Sequence, residues 1–192
     1  MDERLALNVW ERRLIELGTA GFWALTKGLS SPDSRIAARA GYLMGKFPLD
    51  AEAALADDQE LLGRYLAYRW WGLLWYEVPR VDYRDPALRH YQRRIESLRR
   101  PPVDVLIKAL EENDAGCSLF KGGGSPEMHI CTGVIQMLEV IGDERAIPPL
   151  EVIAAGRPNW HKLLIDDAQR ALRKLRARAS SDAAPDRMPG RE

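Results

Sequence analysis

The chain has 192 residues, 46% hydrophobic and 29% charged, with 28 basic and 28 acidic side chains and a formal net charge of zero. That is enough apolar material for one continuous core, and the neutral balance argues against a protein whose whole surface is given over to nucleic acid. Two cysteines supply no disulfide framework, and the longest apolar stretch, Trp70 to Tyr76, is far short of the ~20 residues a membrane-spanning helix needs.

The start, MDERLALNVWERR, is charged and lacks the apolar centre of a signal peptide, so a cytosolic protein with no membrane partner is expected. Helices are expected over residues 3–17, 19–29, 34–47, 58–77, 86–100, 102–113, 126–141, 145–155 and 161–178. No run shows the strict alternation of a strand. The fold class is therefore all-α, with one domain over 1–178 and a small, polar, Pro-containing tail over 179–192 that is expected to be disordered.

Several of these helices carry readable signals. In SPDSRIAARAGYLMG the entry at Ser31 precedes a stripe of Ile36, Ala40, Leu43 and Phe47, and Gly41 with Gly45 suits close helix packing. Asp57 and Glu60 have the spacing of a capping box. Residues 61–78, LLGRYLAYRWWGLLWYEV, concentrate Trp70, Trp71 and Trp75 with Tyr65, Tyr68 and Tyr76 in a helix that is apolar almost all round. Such a helix is usually buried on both sides, but part of this one could also face a groove and anchor a partner.

Asp85 and Pro86 start the next helix, and Pro101 with Pro102 break the chain after it. Continued as a helix to residue 100, it places Arg89, Arg93 and Arg100 within about 40° of one another, opposite Leu88, Tyr91, Ile95 and Leu98. Arg35, Arg39 and Lys46 make a similar row. The glycines at 122–124 precede a helix but lack the order of a nucleotide-binding loop, and serve as a turn. Cys117, His129, Cys131 and His161 match no zinc spacing, so neither a metal, a cofactor nor a catalytic residue is assigned, and Cys131 reads as a small core residue.

From Ser125 the sequence runs SPEMHICTGVIQMLEVIGDERAIPPL. Ser125 and Pro126 suit a helix start, and Ile130, Val134, Met137, Leu138 and Ile141 share a face. Gly142 is expected to end the helix in a left-handed conformation, Asp143 to cap the next, and Ile147, Leu150 and Ala154 to open a second stripe. Residues 160–175 supply another copy with Leu164, Ala168, Ala171, Leu172 and Leu175.

This joint resembles the junction between consecutive HEAT-type helical repeats of the variety named after phycobilisome lyases. Ser125 to Trp160 is 35 residues and Ser31 to Ser125 is 94, about twice the ~40–47 usual for the class, which leaves room for one divergent repeat between them. The resemblance implies a right-handed α-solenoid of about four antiparallel helix pairs behind an N-terminal capping helix, with the second helix of each pair on the concave side. Those second helices sum to +9 and the first helices to −2.

A basic concave surface follows, with Arg35, Arg39, Arg89, Arg93, Arg100 and the three tryptophans as candidate binding residues. The leading expectation is a non-catalytic module that binds an acidic protein segment. The alternative is a nucleic-acid binder or enzyme similar to the HEAT-like alkylpurine DNA glycosylases, which lacks an assignable catalytic aspartate here.

Overall fold

The computed structural model describes residues 8–76, 86–112, 126–156 and 162–182, with side chains described over 8–73, 86–111, 131–156 and 162–181. All its regular structure is helical: α1 (Val9–Glu16), α2 (Thr19–Leu29), α3 (Ser34–Met44), α4 (Ala51–Ala54), α5 (Gln59–Tyr76), α6 (Pro86–Glu96), α7 (Val103–Glu112), α8 (Pro126–Ile141), α9 (Ile147–Ala155) and α10 (Lys162–Asp182). A single 3₁₀ turn, Glu144–Ala146, leads into α9. No strand occurs among the described residues, as the sequence predicts.

Short polar side chains set where these helices begin. Asn8 and Glu11 form a reciprocal capping box on α1, while Asp33 accepts from the first-turn amides of α3 and Asp50 from those of α4. For α5 the cap is Asp58, whose carboxylate accepts from the Leu61 amide at 2.9 Å, and not the expected Asp57. Asp143 caps the 3₁₀ turn as anticipated. Gly142 is not left-handed, since positive φ is confined among the described residues to Gly18 and Gly156. A side chain at Gly142 would instead strike the Leu138 carbonyl oxygen, 2.4 Å from its Cβ.

Helix ends differ from expectation for local reasons. The Ser97 hydroxyl donates to the Arg94 carbonyl and its amide to Arg93 and Arg94, which closes α6 at Glu96 ahead of the two prolines. At the other end of the chain α10 continues to Asp182, where the Ser180 and Ser181 hydroxyls bond back to the Arg176 and Ala177 carbonyls. The expected tail thus loses its first four residues, 179–182, to the helix.

Neighbours in sequence pack on one another: α2 on α3, α5 on α6, α7 on α8 and α9 on α10, with α8 also lying along α10. The most extensive interface is α3 with α5. There the backbones come close because Gly41 and Gly72 carry no side chain; a Cβ on Gly41 would stand 2.9 Å from Tyr68 and Arg69 main-chain atoms, and one on Gly72 2.9 Å from the Ala38 carbonyl. Of the predicted α3 stripe Ala40, Leu43 and Phe47 are buried as expected. Ala37, Ala38, Ala40 and Gly41 face α5 or its neighbours, and Ile36, expected in the core, is 55% exposed.

Elsewhere the apolar stripes lie where the spacing put them: Val134, Met137 and Leu138 in α8, Leu150 in α9, and Leu164, Ala168, Ala171, Leu172 and Leu175 in α10 are buried, with Ile141 and Ile147 partly so. Cys131, buried in α8, is disulfide-bonded, which corrects the expectation of an unpaired core thiol. The one other cysteine, Cys117, lies outside the described residues, as do Ser125, Trp160 and His161.

Two carboxylates tie helices together. Glu11 of α1 takes a bidentate pair from Arg39 of α3 at 2.6 and 2.7 Å, and Glu139 of α8 takes Arg170 and Lys174 of α10. Burial raises both carboxyls, but hydrogen bonds from these cations, helped for Glu11 by the Asn8 amide, outweigh it and hold each below its ordinary value of 4.5. A depressed folded-state pKa contributes stability that is full above the unfolded value and is lost as pH falls through the folded one. Denaturant midpoints should therefore drop as pH falls below the ordinary carboxyl value of 4.5, and drop less in Glu11→Gln, measured by circular dichroism. Equal acid sensitivity of parent and variant would show the Glu11–Arg39 pair to be without effect.

Candidate interaction surface

The candidate residues do not form one uniform row. Arg35 sits exposed in the first turn of α3, just after the Asp33 cap. Arg89 and Arg93 are exposed one turn apart on α6, and the Arg93 Nε donates to the Arg89 carbonyl at 3.2 Å. Opposite them Leu88 and Ile95 are buried and Tyr91 and Leu98 half-buried, as predicted. No described carboxylate pairs with Arg35, Arg89 or Arg93.

Arg100 departs from the helical-phase argument. Because α6 stops at Glu96, Arg100 belongs to the turn before α7 and lines a cleft with Arg64 and Arg145. Arg39 departs in another way: it is half-buried, held by Glu11, and lies over the Tyr42 ring at 5.1 Å. It fastens α1 to α3 and is spent there.

Much of the formal excess of positive charge is balanced by neighbours in the same manner. Arg94 pairs with Glu52 at 2.6 Å, and the same carboxylate meets His90 at 3.0 Å, joining α4 to α6. Arg170 and Lys174 are held by Glu139, Arg176 by Glu151, and Arg178 donates to the Val140 and Glu139 carbonyls at the end of α8. Exposed cations without a carboxylate among the described residues remain on α3, α6 and the turn after α6, where Arg35, Arg89, Arg93, Arg99 and Arg100 stand, and also at Arg13 of α1, Lys27 of α2 and Lys162 and Arg173 of α10.

The tryptophans are placed differently from the groove reading. Trp70 and Trp71 are 3% and 4% exposed, and Trp71 stacks on Tyr68 with centroids 5.8 Å apart, so neither presents a surface to a partner. The cause is the position of α5, which packs against α3, α6 and α8. The side chains of Trp75 and Tyr76 lie outside the described residues.

Arg69, next to Trp70 in sequence, is core as well. It is 7% exposed, between the Tyr42 and Tyr91 rings at 5.2 and 5.9 Å, and its Nη1 donates to the Tyr42 carbonyl. Its Nε has no hydrogen-bond partner and occupies space left open by Gly45, whose Cβ would fall 2.3 Å away. Beside it, burial pushes the Tyr65 phenol well above its ordinary pKa, with Tyr91 adding to the effect. This knot of rings around a cation locks α3, α5 and α6 together and offers no opening.

Among the described residues no group of three His, Cys, Asp or Glu side chains is disposed to hold a metal ion, and no helix is long and apolar enough to cross a membrane. Comparison with protein families, curated proteins and solved structures finds no match to the chain.

Proposed function

We propose that the chain is a non-catalytic interaction module: a right-handed solenoid of about four HEAT-like helix pairs, α2/α3, α5/α6, α7/α8 and α9/α10, capped by α1, that binds an acidic segment of another protein. The observation that carries this reading is the contrast between paired and unpaired arginines. Those that join one helix to another, Arg39, Arg94, Arg170 and Arg176, each have a carboxylate, while Arg35, Arg89, Arg93 and Arg100 are exposed without one among the described residues.

Leaving several like charges unbalanced near one another costs stability through repulsion, and an acidic partner relieves it. Arg35, Arg89 and Arg93, on open helix faces, each contribute less than about 1 kcal/mol alone, so their effect is collective. Changing Arg89, Arg93 and Arg100 together to Glu should weaken capture of an acidic partner from the native cell extract and flatten its salt dependence, with the melting temperature unchanged. A triple variant that holds the same partner as the parent through a salt-wash series refutes the reading. Retention of nucleic acid, lost steeply with salt and with nuclease, would replace the protein partner by the alternative.

A further inference from the structure

Three helical segments start at one edge of the molecule, and their first turns enclose a cleft of about 490 Å³ between the beginnings of α5 and α7 and the turn before α9. Six charged side chains line it: Arg64, Arg100 and Arg145 against Glu60, Asp104 and Asp143. The acids have a local explanation. Glu60 and Asp104 stand in the first turns of α5 and α7, and Asp143 caps the 3₁₀ turn, where negative charge complements a helix start.

The arginines are not equally committed. Arg145 is clamped by Asp143 through contacts of 2.6 and 3.0 Å, and that bond holds the Asp143 carboxyl ionised by lowering its pKa. Arg64 is shared loosely, 3.3 Å from Glu60 and 3.6 Å from Asp104, longer than the ~2.7–2.9 Å of a firm charge-assisted bond. Arg100 has no carboxylate partner among the described residues and stands exposed. Pro101, Pro102 and Ile141 give the cleft apolar wall beside it.

The geometry points to this cleft as the place where one acidic side chain of the partner is read: a glutamate or aspartate carboxylate taken by Arg100 and by Arg64 swinging off its long contacts, with the side-chain methylenes against Pro102 and Ile141. It rests on the acidic-partner reading and narrows it to a carboxylate. Three resident carboxylates make a doubly charged phosphate a worse occupant than a singly charged carboxylate, because each added negative charge meets the same three neighbours.

The test is fluorescence anisotropy of the full chain with a labelled hexaglutamate peptide at low salt, comparing Arg100→Ala, Arg100→Lys and the ridge variant Arg89→Ala/Arg93→Ala. All three exchange exposed side chains, and circular dichroism checks that each is folded. Arg100→Ala should weaken binding about tenfold, as loss of a hydrogen bond to a charged group does. Arg100→Lys should recover only part, because an ammonium cannot form the planar fork. The ridge variant should lose about threefold or less.

If Arg100→Ala binds like the parent while the ridge variant is weakened, the cleft proposal fails and the acidic-partner reading stands. A parent that does not bind the peptide overturns both. Competition by inorganic phosphate at concentrations equal to free glutamate overturns the carboxylate preference.

Discussion

Replacing Trp71 by alanine is expected to lower folding stability by about 3–5 kcal/mol, the usual cost of emptying a large aromatic site in a packed core. The ring is 4% exposed and stacked on Tyr68, and α5 itself is covered by α3 and α6, so the space left cannot be refilled without moving a helix. Urea denaturation followed by circular dichroism measures the loss. Affinity for the hexaglutamate peptide in the folded fraction should be unchanged. A stability loss under about 1 kcal/mol with weakened binding would return the tryptophans to the surface and make the aromatic helix the docking element.

How far the chain could be read in advance depended on whether the deciding contact was local. In α8 and α10 the large apolar residues recur at three and four, and burial at Val134, Leu138, Leu164, Leu172 and Leu175 follows the spacing. At α3 the same rule places Ala40, Leu43 and Phe47 but misplaces Ile36, because the small residues Ala37, Ala38 and Gly41 are buried there in its stead, where the helix comes close to α5. Hydrophobicity weights large residues, whereas this interface weights small ones. The four-residue α4 is shorter than two turns and leaves no periodic trace.

The candidate surface was legible only in part for a related reason. Arginines are visible in sequence, but their partners are not: Glu11 lies 28 positions from Arg39, Glu52 lies 42 from Arg94, and nothing local couples them. Helical phase placed Arg89 and Arg93 correctly and failed at Arg100, where Ser97 and the following prolines had already ended α6. That failure moves Arg100 from a ridge into a cleft, beside Arg64 and Arg145, and so makes it the most distinctive of the exposed cations.

The α3–α5 crossing makes a second sharp expectation. Gly41→Val should destabilise the protein by about 3 kcal/mol, at the upper end for overpacking, because an added Cβ meets the Arg69 nitrogen and the Tyr68 carbonyl carbon and Cβ, all at 2.9 Å. Two of those atoms are main chain and cannot swing aside, so relief requires the helices to part. Parting them also separates Tyr42 from Arg69 and uncovers a buried cation. Gly63 of α5 supplies the internal control: its Cβ would find nothing nearer than 3.6 Å, and Gly63→Ala should stabilise by about 0.5–1 kcal/mol through helix propensity alone. Opposite signs at two glycines of neighbouring, packed helices distinguish close approach from a general intolerance of substitution. If both variants shift the urea midpoint in the same direction, the backbones are not in contact at Gly41 and the crossing of α3 with α5 is wider than the structure has it.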